Sequence, residues 1–367
     1  MVAKTTVIVM VDGFDPEYQA HCPTPCLEQI GKQGFMVRGK AMMPTVTNVN
    51  NTSLVTASYP VTHGIVSNYW LDRQGGAEVY MESPEYVQAE TMFQRATKQG
   101  ARSLLVSSKD KLRRLLGDGP TFCFSSEQAP EWVTGVVGDP PPVYSLEVNG
   151  WIIDAARYVL SQEHYDLVYL TTTDYAMHTY GPEQPESARH LTLLDQAIEK
   201  LMESLPDVEI LVTADHGMSS KSRMIHLPDV LGKHGISAQA VPIIKDLYTV
   251  HHSNLGGCIY VYLDNADLGQ ALEVLRNTEG VDEALPKEEA ALRFKLMEDR
   301  LGDIMVLGSA DVVFGNPEEV TLPANLRSHG STYEDDVPIM GCGGSYQGFE
   351  FRENRDVGRY VFERILG

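Results

Sequence analysis

The segment Leu211-Val212-Thr213-Ala214-Asp215-His216-Gly217-Met218 constrains this chain more than any other stretch. An apolar run that ends in adjacent carboxylate and imidazole reads as a buried strand delivering two metal ligands to its C-terminal edge. Ligands gather at that edge in open α/β sheets. A charged pair at the end of an apolar strand also needs a partner, because an unpaired charge taken out of water is expensive. Two other runs end in a similar way. Val7-Ile8-Val9-Met10-Val11 leads into Asp12, and Leu170-Thr171-Thr172-Thr173 leads into Asp174, with His178 four residues on. Positions i and i+4 share a helix face, so Asp174 and His178 can reach one ion. Taken singly, Asp12 also suits an Asx-turn or helix N-cap, and Asp174 an N-cap beside a surface histidine. His329, in Arg327-Ser328-His329-Gly330, suits either a ligand or a loop histidine.

The order of elements supports the same picture. Strand-like runs at Val7–Val11, Ser103–Ser107, Thr121–Ser125, Leu167–Thr172 and Glu209–Ala214 alternate with helical patterns at Cys26–Gly34, Thr47–Ser58, Tyr86–Gln99, Leu112–Leu116, Leu146–Gln162 and Glu186–Glu203. This rhythm predicts an α/β fold with a mostly parallel central sheet and helices on both faces. Ala129–Val143, rich in Pro and Gly, reads as a loop. Residues 235–300 read as a smaller α+β cap, with a strand at Cys258–Leu263 and helices at Leu268–Asn277 and after Pro286. The sheet pattern resumes at Asp303–Leu307, and Asp356–Leu366 reads as a final helix. The expected division is therefore a di-metal core of residues 1–234 and 301–367 around a cap of 235–300.

Three carboxylates and three histidines suffice for two ions. Their hard-to-borderline character suits Zn²⁺ or Mn²⁺. Two ions roughly 3.5–4 Å apart can stabilise both the attacking and leaving groups of an in-line phosphoryl displacement. A nucleophile candidate lies in Met43-Pro44-Thr45-Val46-Thr47-Asn48-Val49-Asn50-Asn51, where a polar run opens a helix. A threonine oxygen there meets the positive end of the helix dipole, which favours an anion. Spacing does not separate Thr45 from Thr47. Ser108-Lys109-Asp110-Lys111 follows a strand, and in an extended segment Lys109 and Lys111 share a face, so both ammonium groups could converge on one carboxylate. The alternative is a solvated basic start to a helix.

Composition limits the partners. With 50 acidic against 29 basic residues, the net charge is −21. That argues against nucleic acid or an anionic membrane, and it requires a site for an anion to carry its own local positive charge. The five scattered cysteines, Cys22-Pro-Thr-Pro-Cys26 included, fit reduced thiols in a cytoplasmic protein rather than a disulfide framework or zinc site. The Val7–Val11 run is too short for a signal sequence or a membrane span. A homodimer is compatible with the sequence.

These residues resemble the alkaline phosphatase superfamily. Asp12, Asp174-x-x-x-His178, Asp215-His216 and His329 are similar to its di-zinc pattern, which nucleotide pyrophosphatase/phosphodiesterases share. Three narrower matches resemble the phosphonoacetate hydrolases within it: Met43–Asn51, Gly64-Ile65-Val66-Ser67-Asn68-Tyr69 and Lys109-Asp110-Lys111. Further similarity runs through Tyr248–Gly257, with His251 and His252, and through Glu298–Asp303. The resemblance implies an alkaline phosphatase-like fold and two Zn²⁺, with Mn²⁺ or Fe²⁺ as substitutes. One zinc would take Asp12, Thr47, Asp215 and His216, and the other Asp174, His178 and His329. It implies Thr47 as nucleophile, Asn68 on a phosphonyl oxygen, and Lys109 with Lys111 on the carboxylate of a small anionic phosphonate. The implied reaction is cleavage of the carbon–phosphorus bond of phosphonoacetate to acetate and phosphate through a phospho-threonine. A phosphodiesterase or nucleotide pyrophosphatase is the nearer alternative, with Tyr69, Trp70 or Tyr175 available to stack on a base. A non-catalytic phosphonate-binding protein is the more distant one. His251 and His252 fit support of the metal ligands, contact with the substrate, or ordinary structural roles.

Overall fold

An apolar run is legible as a central strand because both its faces are covered, and Thr5–Met10 is buried at every position. In the computed structural model, which describes residues 4–73, 76–205, 207–246, 252–264 and 267–367, this strand lies mid-sheet. The seven-stranded sheet runs Phe35–Lys40, Asp336–Cys342, Val208–Thr213, Thr5–Met10, Leu167–Thr171, Ser103–Ser107, Phe122–Ser125. The last five of these are mutually parallel. Asp336–Cys342 is antiparallel to both its neighbours. The α/β fold with a mostly parallel sheet is as expected. Among the described residues, no helix is long and apolar enough to cross a membrane.

Strand periodicity divides the core. Ile8 and Met10 pack on one face, with helices Thr47–Val55, Met92–Lys98, Asp110–Leu116 and Arg355–Tyr360. Val7 and Val9 pack on the other, with helices Pro25–Gln33, Val148–Gln162 and Pro185–Ser204. The parallel strands share one C-terminal edge. Four adjacent ones lead there into Asp215-His216, Asp12, Asp174 and Lys109, so the topology alone gathers chemistry scattered over two hundred positions.

A second, four-stranded antiparallel sheet is ordered Ala238–Pro242, Cys258–Leu263, Ile304–Gly308, Val281–Pro286. The run at Asp303–Leu307, expected to resume the central sheet, belongs here instead. Its pattern is that of a central strand for a physical reason. Met305 and Leu307 face the main core while Ile304 and Val306 face an outer layer with helices Leu227–Gly232 and Leu268–Arg276. This small sheet therefore runs past residue 300.

Other local readings shift. The helix expected over Tyr86–Gln99 begins only at Met92, because Thr91 and Gln94 form a capping box; a 3₁₀ turn, Pro84–Tyr86, precedes it. The loop expected at Ala129–Val143 contains helix Glu131–Val137, which buries Val133 and stacks Trp132 near Phe122. Residues 247–251, including His251, lie outside the described residues.

The helix Thr47–Val55 is unusual in burying every residue although most are polar. Two of its three amides, those of Asn50 and Asn51, are bonded at both ends, as burial demands. Asn50 bonds both the N–H and the carbonyl of Met42, and Asn51 accepts the hydroxyls of Tyr169 and Thr171. Helix Arg355–Tyr360 closes over it, and a Cβ at Gly358 would overlap the Leu54 carbonyl. Gly358→Ala should therefore lower stability by about 1–3 kcal/mol through overpacking, read as a fall in the urea midpoint. An unchanged midpoint would mean that the two helices separate without loss.

Candidate active site

The site is built from side chains that a chain in water would not choose to bury. Asp12, Thr47, Asp174, His178, Asp215, His216 and His329 are all at most 3% exposed. The backbone places them. The N–H of Asp12 bonds Thr172 Oγ1 at 2.8 Å, and Gly13, at a positive φ of 77°, turns its N–H onto Asp215 Oδ1 at 3.2 Å. His178 lies one turn beyond Asp174, with Nε2 2.9 Å from Asp174 Oδ2.

The imidazoles share one device. Nδ1 of His178 lies 2.6 Å from the Arg327 carbonyl, Nδ1 of His216 3.0 Å from that of Gly217, and Nδ1 of His329 2.6 Å from that of Thr45. A carbonyl only accepts, so each Nδ1 donates, and in the neutral ring Nε2 is left as a lone pair facing inward. Those lone pairs meet carboxylate oxygens. His216 Nε2 is 3.4 Å from Asp12 Oδ1 and 3.7 Å from Asp215 Oδ2, while His329 Nε2 is 3.6 Å from Asp174 Oδ2. Acceptors converging on acceptors call for cations between them. Asp12, Asp215 and His216 form one such group within 4.8 Å, and Asp174, His216 and His329 another. The donor set fits divalent metal ions, and the Nδ1–carbonyl bonds are the outer support that metal-binding histidines have.

The resemblance gave His216 to one ion with Asp12 and Asp215. Here it belongs to both groups, and its ring stacks on His329 with centroids 3.5 Å apart. The electrostatics follow from burial. Desolvation, then the neighbouring Asp174 and Asp215 carboxylates, pushes Asp12 well above the usual carboxylate range, against Lys109 and His216. Burial lifts Asp215 to about 6. Burial, helped by His216 and His178, holds His329 well below the usual imidazole range. The two carboxylate shifts report charge that a metal ion would compensate, and the histidine shift favours the neutral ring that a metal needs.

The two threonines separate clearly. Thr45 Oγ1 donates to the Ser331 carbonyl at 2.8 Å and accepts from the Gly330 N–H at 2.9 Å, so it is committed to holding the His329 loop. Thr47 opens its helix, and its Oγ1 lies 3.5 Å from His216 Nε2. Asn68 sits beside that helix start, with Oδ1 accepting from the Asn48 N–H at 3.3 Å.

The lysine pair is buried, at 3% and 1% exposure, which excludes a solvated helix start. Asp110, between them, turns the other way to Arg113, Arg114 and Ser125. Lys109 Nζ bridges Asp12 Oδ2 at 3.1 Å and Asp174 Oδ1 at 2.7 Å. Lys111 Nζ grips both oxygens of Asp246, at 2.6 and 2.7 Å. The local positive charge required by so acidic a chain is thus present. Asp246 itself escaped the sequence reading. It lies four residues beyond strand Ala238–Pro242, behind Lys245, in a segment assigned to the cap. His252 joins the same network. Its Nδ1 accepts from the Asn254 N–H at 3.0 Å, so Nε2 carries the proton and donates to Asp246 Oδ2 at 3.0 Å. That tautomer is opposite to the three inward-facing histidines, and gives His252 a supporting role.

Of the aromatics that could wall a nucleotide base, Tyr69 is buried edge-on against Tyr80, and Trp70 lies under Arg300. Tyr175 pairs with Tyr144.

The family model for type I phosphodiesterase/nucleotide pyrophosphatase matches residues 6–332. Phosphonoacetate hydrolase from Sinorhizobium meliloti, solved with phosphonoformate and with phosphonoacetate, superposes with a TM-score of 0.90 at 33% identity. The match covers 98% of this chain and 95% of that one. Murine ectonucleotide pyrophosphatase/phosphodiesterase 5 shares the fold, with a TM-score of 0.73 at 18% identity over 99% of this chain and 95% of its own. Human ectonucleotide pyrophosphatase/phosphodiesterase family member 1 is 25% identical over 249 residues, 62% of this chain and 25% of its own length. The chain spans about a quarter of the length of the first curated relatives it matches.

Thr45→Val should weaken metal binding by about 10–100-fold, the usual effect of removing outer support, in a competition titration against a chromophoric chelator. Full metal affinity with abolished turnover would instead make Thr45 the nucleophile.

Proposed function

This chain belongs to the type I phosphodiesterase/nucleotide pyrophosphatase family and is a hydrolytic enzyme; from that premise we propose that it hydrolyses the carbon–phosphorus bond of phosphonoacetate to acetate and phosphate. The observation that carries the choice of substrate is the pair of buried ammonium groups beside the candidate metal ligands, Lys109 and Lys111. A simple phosphodiester, unlike a nucleotide pyrophosphate, has no second anionic end for them to hold. The kinship with a phosphonoacetate hydrolase supports the same choice.

We assign two zinc ions to Asp12, Asp174, His178, Asp215, His216 and His329, with Thr47 as a further ligand; Mn²⁺ or Fe²⁺ suits the same donors. When bound, the ions supply Lewis-acid charge for the attacking oxygen and for the phosphonyl oxygens. The chain's residues do the rest. Thr47, at a helix N-terminus where orphan N–H groups favour an anion, gives up its proton to solvent water and attacks phosphorus in line. The C–P bond breaks and its electron pair goes to the methylene carbon, delocalised onto the carboxylate as an enolate. That is a poor leaving group, so charge must be met where it develops. Lys109 and Lys111, compact cations, hold the carboxylate oxygens on which it accumulates. Asn68 donates to a phosphonyl oxygen. The carbanion takes a proton from water to give acetate, and a second water cleaves the phospho-threonine, restoring Thr47 and releasing phosphate. The small sheet, taken as a cap over residues 235–300, would limit substrate size and exclude bulk water.

Phosphate release from phosphonoacetate, beside nitrophenol release from a nitrophenyl nucleotide ester, tests the assignment. Higher kcat/KM on phosphonoacetate is expected, and activity on the nucleotide ester alone would favour a phosphodiesterase. Thr47→Ala should remove turnover by about 10³-fold or more while metal content stays near that of the parent. Lys109→Ala with Lys111→Ala should lower kcat/KM on phosphonoacetate at least about 100-fold more than on an aryl phosphate ester. Equal losses on both substrates would remove the clamp from the mechanism.

A further inference from the structure

Asp246 is the one acidic side chain of the small-sheet segment that reaches the proposed substrate contacts, among the described residues. Its carboxylate is saturated. Oδ1 accepts from Lys111 Nζ at 2.6 Å and Asn68 Nδ2 at 3.1 Å; Oδ2 accepts from Lys111 Nζ at 2.7 Å and His252 Nε2 at 3.0 Å. Lys111 and Asn68 come from different parts of the core, one from the helix after strand Ser103–Ser107 and one from the turn before strand Tyr69–Asp72. Asp246 is what they have in common.

Counting protons shows what this does. An ammonium has three N–H groups and a carboxamide two. With two of the Lys111 protons and one of the Asn68 protons on Asp246, each residue keeps one N–H for a substrate. Those directions are fixed by a carboxylate that His252 holds in turn. Lys111 is 1% exposed, and a buried ammonium without a counter-charge is expensive or neutral. Asp246 supplies that counter-charge before a substrate arrives.

We propose that Asp246 is a positioning residue for substrate recognition, acting through Lys111 and Asn68 to aim one N–H of each at a ligand carrying both a phosphonyl and a carboxylate group. This rests on the substrate class proposed above for the same site. Lys111 loses a charged partner if Asp246 is neutralised, whereas Asn68 loses only one acceptor. The effect therefore falls more heavily on the carboxylate end of the ligand.

The test is calorimetric binding of phosphonoacetate and of inorganic phosphate to the metal-loaded chain. Asp246→Asn should weaken phosphonoacetate about tenfold and phosphate about threefold or less, in line with loss of a charged hydrogen-bond partner. In a Lys111→Ala background, Asp246→Asn should weaken phosphonoacetate by no more than the roughly threefold that passes through Asn68, because the larger interaction it acts through is gone. Equal factors for both ligands, no change for either, or additive losses in the double variant would overturn the proposal. If Asp246→Asn does not fold, His252→Ala, which removes one support and leaves the charge, should give the same preferential loss at smaller size, and equal losses there overturn the proposal. The proposed reaction fails separately, if the parent protein binds phosphonoacetate but releases no phosphate from it.

Discussion

Everything in the site follows from burying three aspartates, Asp12, Asp174 and Asp215, at the ends of three adjacent parallel strands. Such a cluster is intolerable without compensating positive charge. The chain answers in two ways. It sends in Lys109, which bridges Asp12 and Asp174. It also rings the cluster with three imidazoles whose Nδ1 atoms are tied to backbone carbonyls, so that their lone pairs add to the negative potential instead of relieving it. A fold that only needed neutrality would not point those lone pairs inward. The arrangement makes sense as a receptor for divalent cations, and the strand order brings it together with a helix N-terminus that bears Thr47.

The metal-ligand candidates were legible in the sequence because each obeys one rule, an apolar run ended by a charged residue. Asp215-His216, Asp12 and Asp174 announce both a buried strand and its functional end. His329 follows no such run, and only the later loop geometry, with Thr45 accepting its Nδ1–H, brings it in. Thr45 and Thr47 could not be separated by spacing, since both open the same polar stretch; their hydrogen bonds distinguish them. Lys109 and Lys111 read equally well as surface charge, because burial of an ammonium is a tertiary fact. Asp246 was passed over because Lys245 stands between it and the apolar run, four residues past the end of its strand.

The second sheet also shows where pattern alone misleads. Ile304–Gly308 has the continuous apolar character of a central strand because it too is covered on both faces, by the main core and by an outer helical layer. Periodicity reports coverage, not membership of a given sheet. The consequence reaches the site, since the segment between Pro242 and Cys258 carries Asp246 and His252 into contact with core residues. The small sheet is thereby joined to the chemistry by hydrogen bonds and not only by packing.

The account stands most directly on the number of divalent ions the chain holds. Plasma mass spectrometry of the purified protein, stripped with a chelator and reloaded with zinc, should give two ions per chain, and activity should return as they bind. Full activity in the stripped protein, or a reloaded protein that holds no metal, would contradict it.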